Sequence, residues 1–255
     1  MATFAVILPA AGKSSRFHDA FYKKPFVPLE NRAVWLYSAE RFLAREDVKQ
    51  VMIVVSPEDR EEFHSKFGAN VAILGVEVVD GGEQRWQSVR NGLARVKPTV
   101  DFVAVHDAAR PCLAEEWIDG VFTAAETSGA AILATPIHGT VKRVDERNSV
   151  TETVPRGGLW EAQTPQVFRR ELLMEAYAKL EGKLDGKGAP GESVTDDAQA
   201  VERLGHSVSV VMGSPLNIKI TTKADLRFAA AALKALPKPK LMGPAHPFAD
   251  GDIWR

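Results

Sequence analysis

Met1–Leu29 reads MATFAVILPAAGKSSRFHDAFYKKPFVPL. Phe4–Leu8 is a short apolar run closed by Pro9, the pattern of a strand buried on both faces of a parallel sheet. Ala10-Ala11-Gly12 follows. A loop this small lets a ligand come close to backbone N–H groups. Lys13, Arg16, Lys23 and Lys24 then place cations beside it, which suits a phosphate-rich ligand. A glycine turn that merely punctuates an α/β fold is the competing reading of the stretch alone. Gly12-Lys13-Ser14 also suggests a Walker A loop, but Ile7 stands where that motif needs a glycine, which disfavours a P-loop ATPase.

The rest of the chain sets the bounds. Its 255 residues are 45% hydrophobic and 25% charged, ordinary values for a globular protein large enough for a substantial core. A formal net charge of −1 argues against a nucleic-acid partner, so the cations must act locally. A single cysteine, Cys112, rules out an internal disulfide and a thiolate metal cage, and points to a reducing cytoplasm. No basic segment precedes the first apolar run, so it reads as strand and not signal peptide. No apolar run approaches the roughly 18 residues that would span a membrane.

Strands and helices alternate from there. Val34–Ala44 has helical spacing and Gln50–Val55 is strand-like. Ser56-Pro57 resembles a helix start before Glu58–Phe67. Val76–Val79, Asp101–His106 and Ala130–Pro136 read as strands, with helices over Gln84–Val96 and Glu115–Thr127 between them. This spacing predicts a doubly wound, mostly parallel sheet. Ligands of such sheets bind beyond the C-terminal strand ends, where Pro9–Gly12, Asp80–Glu83 and Asp107–Arg110 all fall. Thr140–Val144 and Val150–Val154, joined by Asp145–Ser149, predict a projecting hairpin arm over about 138–160. A two-stranded arm is marginal alone, so it should pack on something such as a second subunit. Helices are expected over Arg169–Leu180, over Asp196–Leu204 capped by Thr195, and from Thr222 to about Leu236. Val208–Met212 and Asn217–Ile220 read as strands. Residues 1–236 read as one domain, and 237–255 as an irregular, proline-containing tail.

Three clusters carry candidate chemistry. In GGEQRWQSV, Gly81 and Gly82 offer backbone to a base edge, while Arg85 and Ser88 can reach phosphate or ribose; a tight turn with a solvated helix face is the alternative. In VHDAARP, Asp107 sits at a strand tip with Arg110 nearby. It is placed to hold a hard cation such as Mg²⁺, or else to cap the next turn and pair with Arg110. In NIKIT, Lys219 either reaches a ligand or is an edge-strand lysine. Arg156 stands at the base of the arm. His106 reads as packed, and no serine–histidine–acid arrangement stands out.

Together, PAAGKSSRF, KPFVPL, GGEQRWQSV, VHDAARP, GTVKR, QTPQVF, TDDAQAVE and NIKITT resemble the 2-C-methyl-D-erythritol 4-phosphate cytidylyltransferases over roughly residues 3–233. The resemblance implies a Rossmann-like nucleotidyltransferase that joins CTP to a sugar-alcohol phosphate. It also implies a homodimer clasped by the arm. It places Arg16 and Lys24 at the transferred α-phosphate. Ala10, Ala11, Gly12, Gly81, Gly82, Glu83, Arg85 and Ser88 fall around the nucleotide, and Asp107 near Mg²⁺. Arg156 and Lys219 fall on the phosphate of the acceptor, with Thr140 and Arg110 close by. Three positions depart from the family pattern. Ser14 stands for a second glycine, Gly139 for an aspartate, and Glu83 for what is often aspartate. Gly139 keeps open an acceptor such as ribitol 5-phosphate. A non-catalytic nucleotide-binding protein is the alternative of another class.

Overall fold

The computed structural model of the chain describes residues 1–12, 24–184 and 194–237. β1 (Phe4–Pro9) precedes a small ribbon, β2 (Pro28–Leu29) and β3 (Arg32–Ala33). Then come α1 (Val34–Leu43), β4 (Val48–Val55), α2 (Arg60–Leu74), β5 (Glu77–Asp80), α3 (Arg85–Leu93), β6 (Phe102–Val105), α4 (Glu115–Ser128) and β7 (Ala130–Pro136). The arm strands β8 (Val141–Val144) and β9 (Val150–Val154) lead into β10 (Trp160–Arg169), α5 (Arg170–Leu184), α6 (Asp197–Glu202), β11 (Ser209–Met212) and α7 (Asp225–Ala235).

The described residues form a seven-stranded sheet in the order β5-β4-β1-β6-β10-β7-β11. Every pairing is parallel except those of β10, which runs against both β6 and β7. The chain moves outward from β1 to β4 and β5, then returns to β6 on the other side of β1. That reversal opens a crevice at the strand ends, between the loops after β1 and β6.

Alternation along β1 explains the two layers. Phe4, Val6 and Leu8 pack with Trp35 and Phe42 of α1, Phe63 of α2 and Ile118 and Val121 of α4. Ala5 and Ile7 face the other layer, with Trp86 and Val89 of α3, Tyr177 of α5 and Val201 of α6. Both faces are covered, so the strand is apolar throughout. The doubly wound, mostly parallel sheet is as the spacing predicts.

Several local expectations are corrected. The sequence pattern of 160–169 does not signal a strand, yet β10 lies in the middle of the sheet. Gln163, Thr164 and Gln166 are buried there, their polar atoms satisfied by specific partners and not by solvent. Pro165 is tolerated because it falls in a register shift between Ala162 and Gln166, where no ladder donor is needed. Asn217–Ile220 is not a strand. It is an irregular segment pinned to the loop after β6, with Ile220 N–H donating to the Ala109 carbonyl at 2.8 Å. Pro57–Asp59 forms a 3₁₀ turn and α2 continues to Leu74. Asp196, not Thr195, caps α6 by accepting from Gln199 N–H. Asp225, not Thr222, gathers the N–H groups of Thr221 and Thr222 at the start of α7.

The arm is a hairpin with nearly every residue exposed, Val144 and Val150 included. Its turn is held by Asp145, whose Oδ1 accepts from the N–H groups of Arg147 and Ser149. Among the described residues, no helix is long and apolar enough to cross a membrane.

Candidate active site

Asp107 follows β6 directly and is 7% exposed. Lys219 Nζ lies 2.7 Å from its Oδ2, Arg85 Nε 3.4 Å from its Oδ1, and Arg110 Nε 3.7 Å from its Oδ2. Burial alone would raise this carboxyl. Lys219, Arg85 and Arg110 outweigh that and hold it far below the usual carboxylate range. The site therefore keeps an ionised acid among cations before any ligand arrives. Asp107 thus pairs with Arg110, as one of its two readings has it, and Lys219, which is in no strand, pairs with the same acid.

Arg85 opens α3. Its two Nη atoms donate to Asp197 at 3.0 and 2.7 Å, and the Tyr177 hydroxyl donates to the same carboxylate. Burial disfavours the guanidinium charge, but Asp197 and Asp107 together raise its pKa.

The loop between Asp107 and Arg110 is fixed from beneath. Asp107 N–H donates to Thr164 Oγ1, and Thr164 Oγ1 and His106 Nδ1 lie 3.1 Å apart. His106 Nε2 lies 3.1 Å from the Arg110 carbonyl, which can only accept. Nε2 therefore carries a proton; burial keeps the imidazole neutral, and the Thr164 hydroxyl then donates to Nδ1. Burial lowers its pKa to about 4. His106 packs against Phe42 as a structural residue. Arg110 extends the bracing by donating from Nη1 to the Asn217 carbonyl at 2.7 Å, and Asn217 Nδ2 donates to the Thr164 carbonyl.

Beside this cluster, the loops after β1, β4 and β5 meet. Ala10 N–H donates to the Val54 carbonyl and Gly81 N–H to the Val55 carbonyl, each at 2.8 Å. A Cβ on Gly81 would lie 2.5 Å from Ala11 Cβ, so only glycine permits this approach. Gly82 N–H donates to Ser88 Oγ at 3.1 Å, tying the glycines to α3. Gly12 and Glu83 are exposed at the rim. The result is a backbone-lined floor next to a cluster of cations.

The 2-C-methyl-D-erythritol 4-phosphate cytidylyltransferase (IspD) family profile matches residues 4–235. The chain belongs to this family. A protein of that name from Rhodopirellula baltica is 39% identical over 243 residues, covering 91% of this chain and 95% of its own. One from Bacillus velezensis is 39% identical over 234 residues, covering 91% and 96%. The crystal structure of 2-C-methyl-D-erythritol 4-phosphate cytidylyltransferase from Thermus thermophilus superposes with a TM-score of 0.73 at 31% identity, covering 92% of this chain and all of that one.

Of the positions that resemblance to the cytidylyltransferases singled out, the structure gathers Arg85, Asp107, Arg110 and Lys219 in one cluster. It gathers Ala10, Ala11, Gly81, Gly82 and Ser88 in the adjoining floor. Arg156 and Thr140 lie in the arm, both exposed, and Arg156 donates to the His138 carbonyl at the arm's own base. Lys13, Ser14, Arg16 and Lys23 lie outside the described residues. The backbone of Lys24 begins a 3₁₀ turn, Lys24–Phe26, and its side chain is not described. Asp197, Tyr177, Thr164 and Gln166 were not singled out. The motifs TDDAQAVE and QTPQVF held three of them in plain sight, but nothing local tells which distant residue each one bonds.

The donor set also limits what metal can bind. Among the described residues, no group of three His, Cys, Asp or Glu converges. Among the described residues, the cluster offers a cation the oxygens of Asp107, which already face Lys219, Arg85 and Arg110, so a magnesium ion there would be held chiefly by phosphates and water.

Proposed function

We propose that this chain joins CTP and 2-C-methyl-D-erythritol 4-phosphate to give 4-diphosphocytidyl-2-C-methyl-D-erythritol and pyrophosphate, a step of isoprenoid precursor synthesis. The family match along nearly the whole chain supports the reaction. The observation that carries the reading is the convergence of Arg85, Arg110 and Lys219 on the ionised Asp107, at the crevice where a doubly wound sheet binds ligands.

The acceptor is a phosphate monoester, largely dianionic at neutral pH because its second pKa is about 6. An oxygen of that dianion attacks the α-phosphorus of CTP. The new P–O bond forms as the bond to the bridging oxygen breaks, and pyrophosphate leaves with the electron pair. No general base is required. The barrier is electrostatic, since an anion approaches a triphosphate. Arg16 and Lys24 are assigned to the charge developing at the α-phosphate. Lys219 and Arg156, with Arg110 and Thr140, are assigned to hold the acceptor in line. Backbone groups near Ala10, Gly81 and Gly82 other than these residues' own N–H groups, which bond within the protein, are assigned to the cytosine edge. A site that hydrogen-bonds a base strongly rejects one that leaves its buried groups unsatisfied. A divalent cation at Asp107 would neutralise triphosphate charge.

The same proposal takes residues 1–236 as one domain and the protein as a homodimer through the arm. The exposed Val144, Val150 and Trp160, at 51, 61 and 42%, support an arm that is covered by a second copy. Cytoplasmic residence is supported by the single thiol, Cys112, which burial keeps protonated with a pKa of about 12.

The test is pyrophosphate release from CTP with Mg²⁺ and either 2-C-methyl-D-erythritol 4-phosphate or ribitol 5-phosphate. Turnover with the first acceptor is expected. Preference for the second would reassign the substrate, and CTP binding without turnover on either would make the chain a binding protein. Equal use of UTP would defeat the base-recognition assignment.

A further inference from the structure

We propose that Asp197, backed by Tyr177, is the positioning residue for Arg85 and thereby sets the nucleotide side of the crevice. The inference rests on the CTP reading above. Asp197 is fully buried, so it touches no substrate itself. Its two oxygens take both Nη atoms of Arg85 in a bidentate pair, and the Tyr177 hydroxyl donates to Oδ1. The acid is itself immobilised. Gln166 Oε1 accepts from the N–H groups of Asp197 and Ala198 at 3.0 and 2.9 Å. Gln166 Nε2 donates to Asp196, which caps the same helix. The start of α6 is thus fastened to the central strand β10.

Arg85 carries this network directly to Asp107 at the crevice. With Nη1 and Nη2 on Asp197 and Nε beside Asp107, its guanidinium is fixed at both ends. Its side chain keeps 30% exposure, so the remaining N–H groups can meet a ligand. A buried ion pair is weak support for stability, since apolar residues of equal volume often serve as well. What the charge at position 197 adds is direction. Without it, Arg85 is free to turn onto Asp107 and compete there with Lys219.

The test is a double-mutant cycle on the full chain, read by steady-state kinetics with each substrate varied and by calorimetric CTP binding. Asp197→Asn is expected to lower kcat/KM for CTP roughly 10–100-fold, the scale of a lost charge-assisted hydrogen bond, with the acceptor KM unchanged. In an Arg85→Gln background, adding Asp197→Asn should change kcat/KM less than about threefold, because the residue through which it acts is already gone. A purely structural role would lower both substrates' parameters alike and multiply with Arg85→Gln, and either result overturns the inference. Tyr177→Phe is the milder companion, and it decides the matter by the same cycle if Asp197→Asn does not fold. Wild-type protein that binds no CTP overturns the CTP reading and this inference together. Wild-type binding with independent losses overturns this inference alone.

Discussion

Lys219 Nζ and Asp107 Oδ2 lie 2.7 Å apart, joining the segment after β11 to the tip of β6. The lysine side chain is 42% exposed and the aspartate 10%, so the acid is the buried anchor and the lysine the face presented to the crevice. Charges held this way need little reorganisation when substrate charge develops, which is the main source of electrostatic catalysis.

Lys219→Ala should therefore lower kcat/KM for the acceptor about 10²–10³-fold, equivalent to about 3–4 kcal/mol. Calorimetric CTP affinity should stay within about threefold, as suits a group that acts on the other substrate. A loss confined to CTP affinity would assign Lys219 to the wrong substrate.

Lys24→Ala is expected to fold normally, with an unchanged circular dichroism spectrum, and to lose kcat by about 10²–10³-fold. Near-wild-type kcat would remove Lys24 from the α-phosphate.

Gly81→Ala puts a methyl group 2.5 Å from Ala11 Cβ and 3.0 Å from Ser88 Oγ. The loops after β1 and β5 must then separate, at the usual overpacking cost of about 1–3 kcal/mol in urea unfolding. The KM for CTP should rise. Adding Ala11→Gly removes the nearest clash and should recover part of both effects. No recovery would show that the approach of these loops does not matter.

Gly139→Asp should be accepted without loss of stability, since a Cβ at Gly139 meets no atom within 4 Å. Placed beside Thr140 in the arm, the carboxylate is expected to sharpen discrimination between the two polyol phosphates. Unchanged ratios of kcat/KM would mean that position 139 does not read the acceptor.

His106 makes stability pH-dependent in a defined window. Burial lowers its folded-state pKa to about 4, below the ordinary value of 6.5. The unfolded state then binds the proton more readily. The contribution is full above pH 6.5 and is lost as the pH falls towards 4. Between pH 7 and 5 the loss should be about 2 kcal/mol, because one proton bound only by the unfolded chain costs about 1.36 kcal/mol for each pH unit below 6.5. His106→Gln should flatten that part of the urea-unfolding profile. Asp107, held below its ordinary range, adds a further loss only under more acidic conditions.

Much of the fold was legible because its signals are local. Phe4–Leu8, Ala130–Pro136 and the two arm strands are marked by runs or turns that the backbone reads within a few residues. The loops at the parallel strand ends followed from the alternation of elements, and with them the positions of Gly81, Arg85 and Asp107. β10 escaped because its buried Gln163, Thr164 and Gln166 resemble surface residues until their partners are known. The segment Asn217–Ile220 reads as a strand for the opposite reason: its residues suit one, but among the described residues no strand pairs with it.

By itself, the amino-acid order determined the layered α/β architecture, the glycine-lined loop and the set of charged residues available to it. Only the tertiary structure decided which charges meet. Lys219 found Asp107, and Arg85 found Asp197 and Tyr177, across long separations in the chain. Apolar periodicity is a property of neighbours in sequence. An ion pair depends on where folding brings two side chains and how much water is left between them.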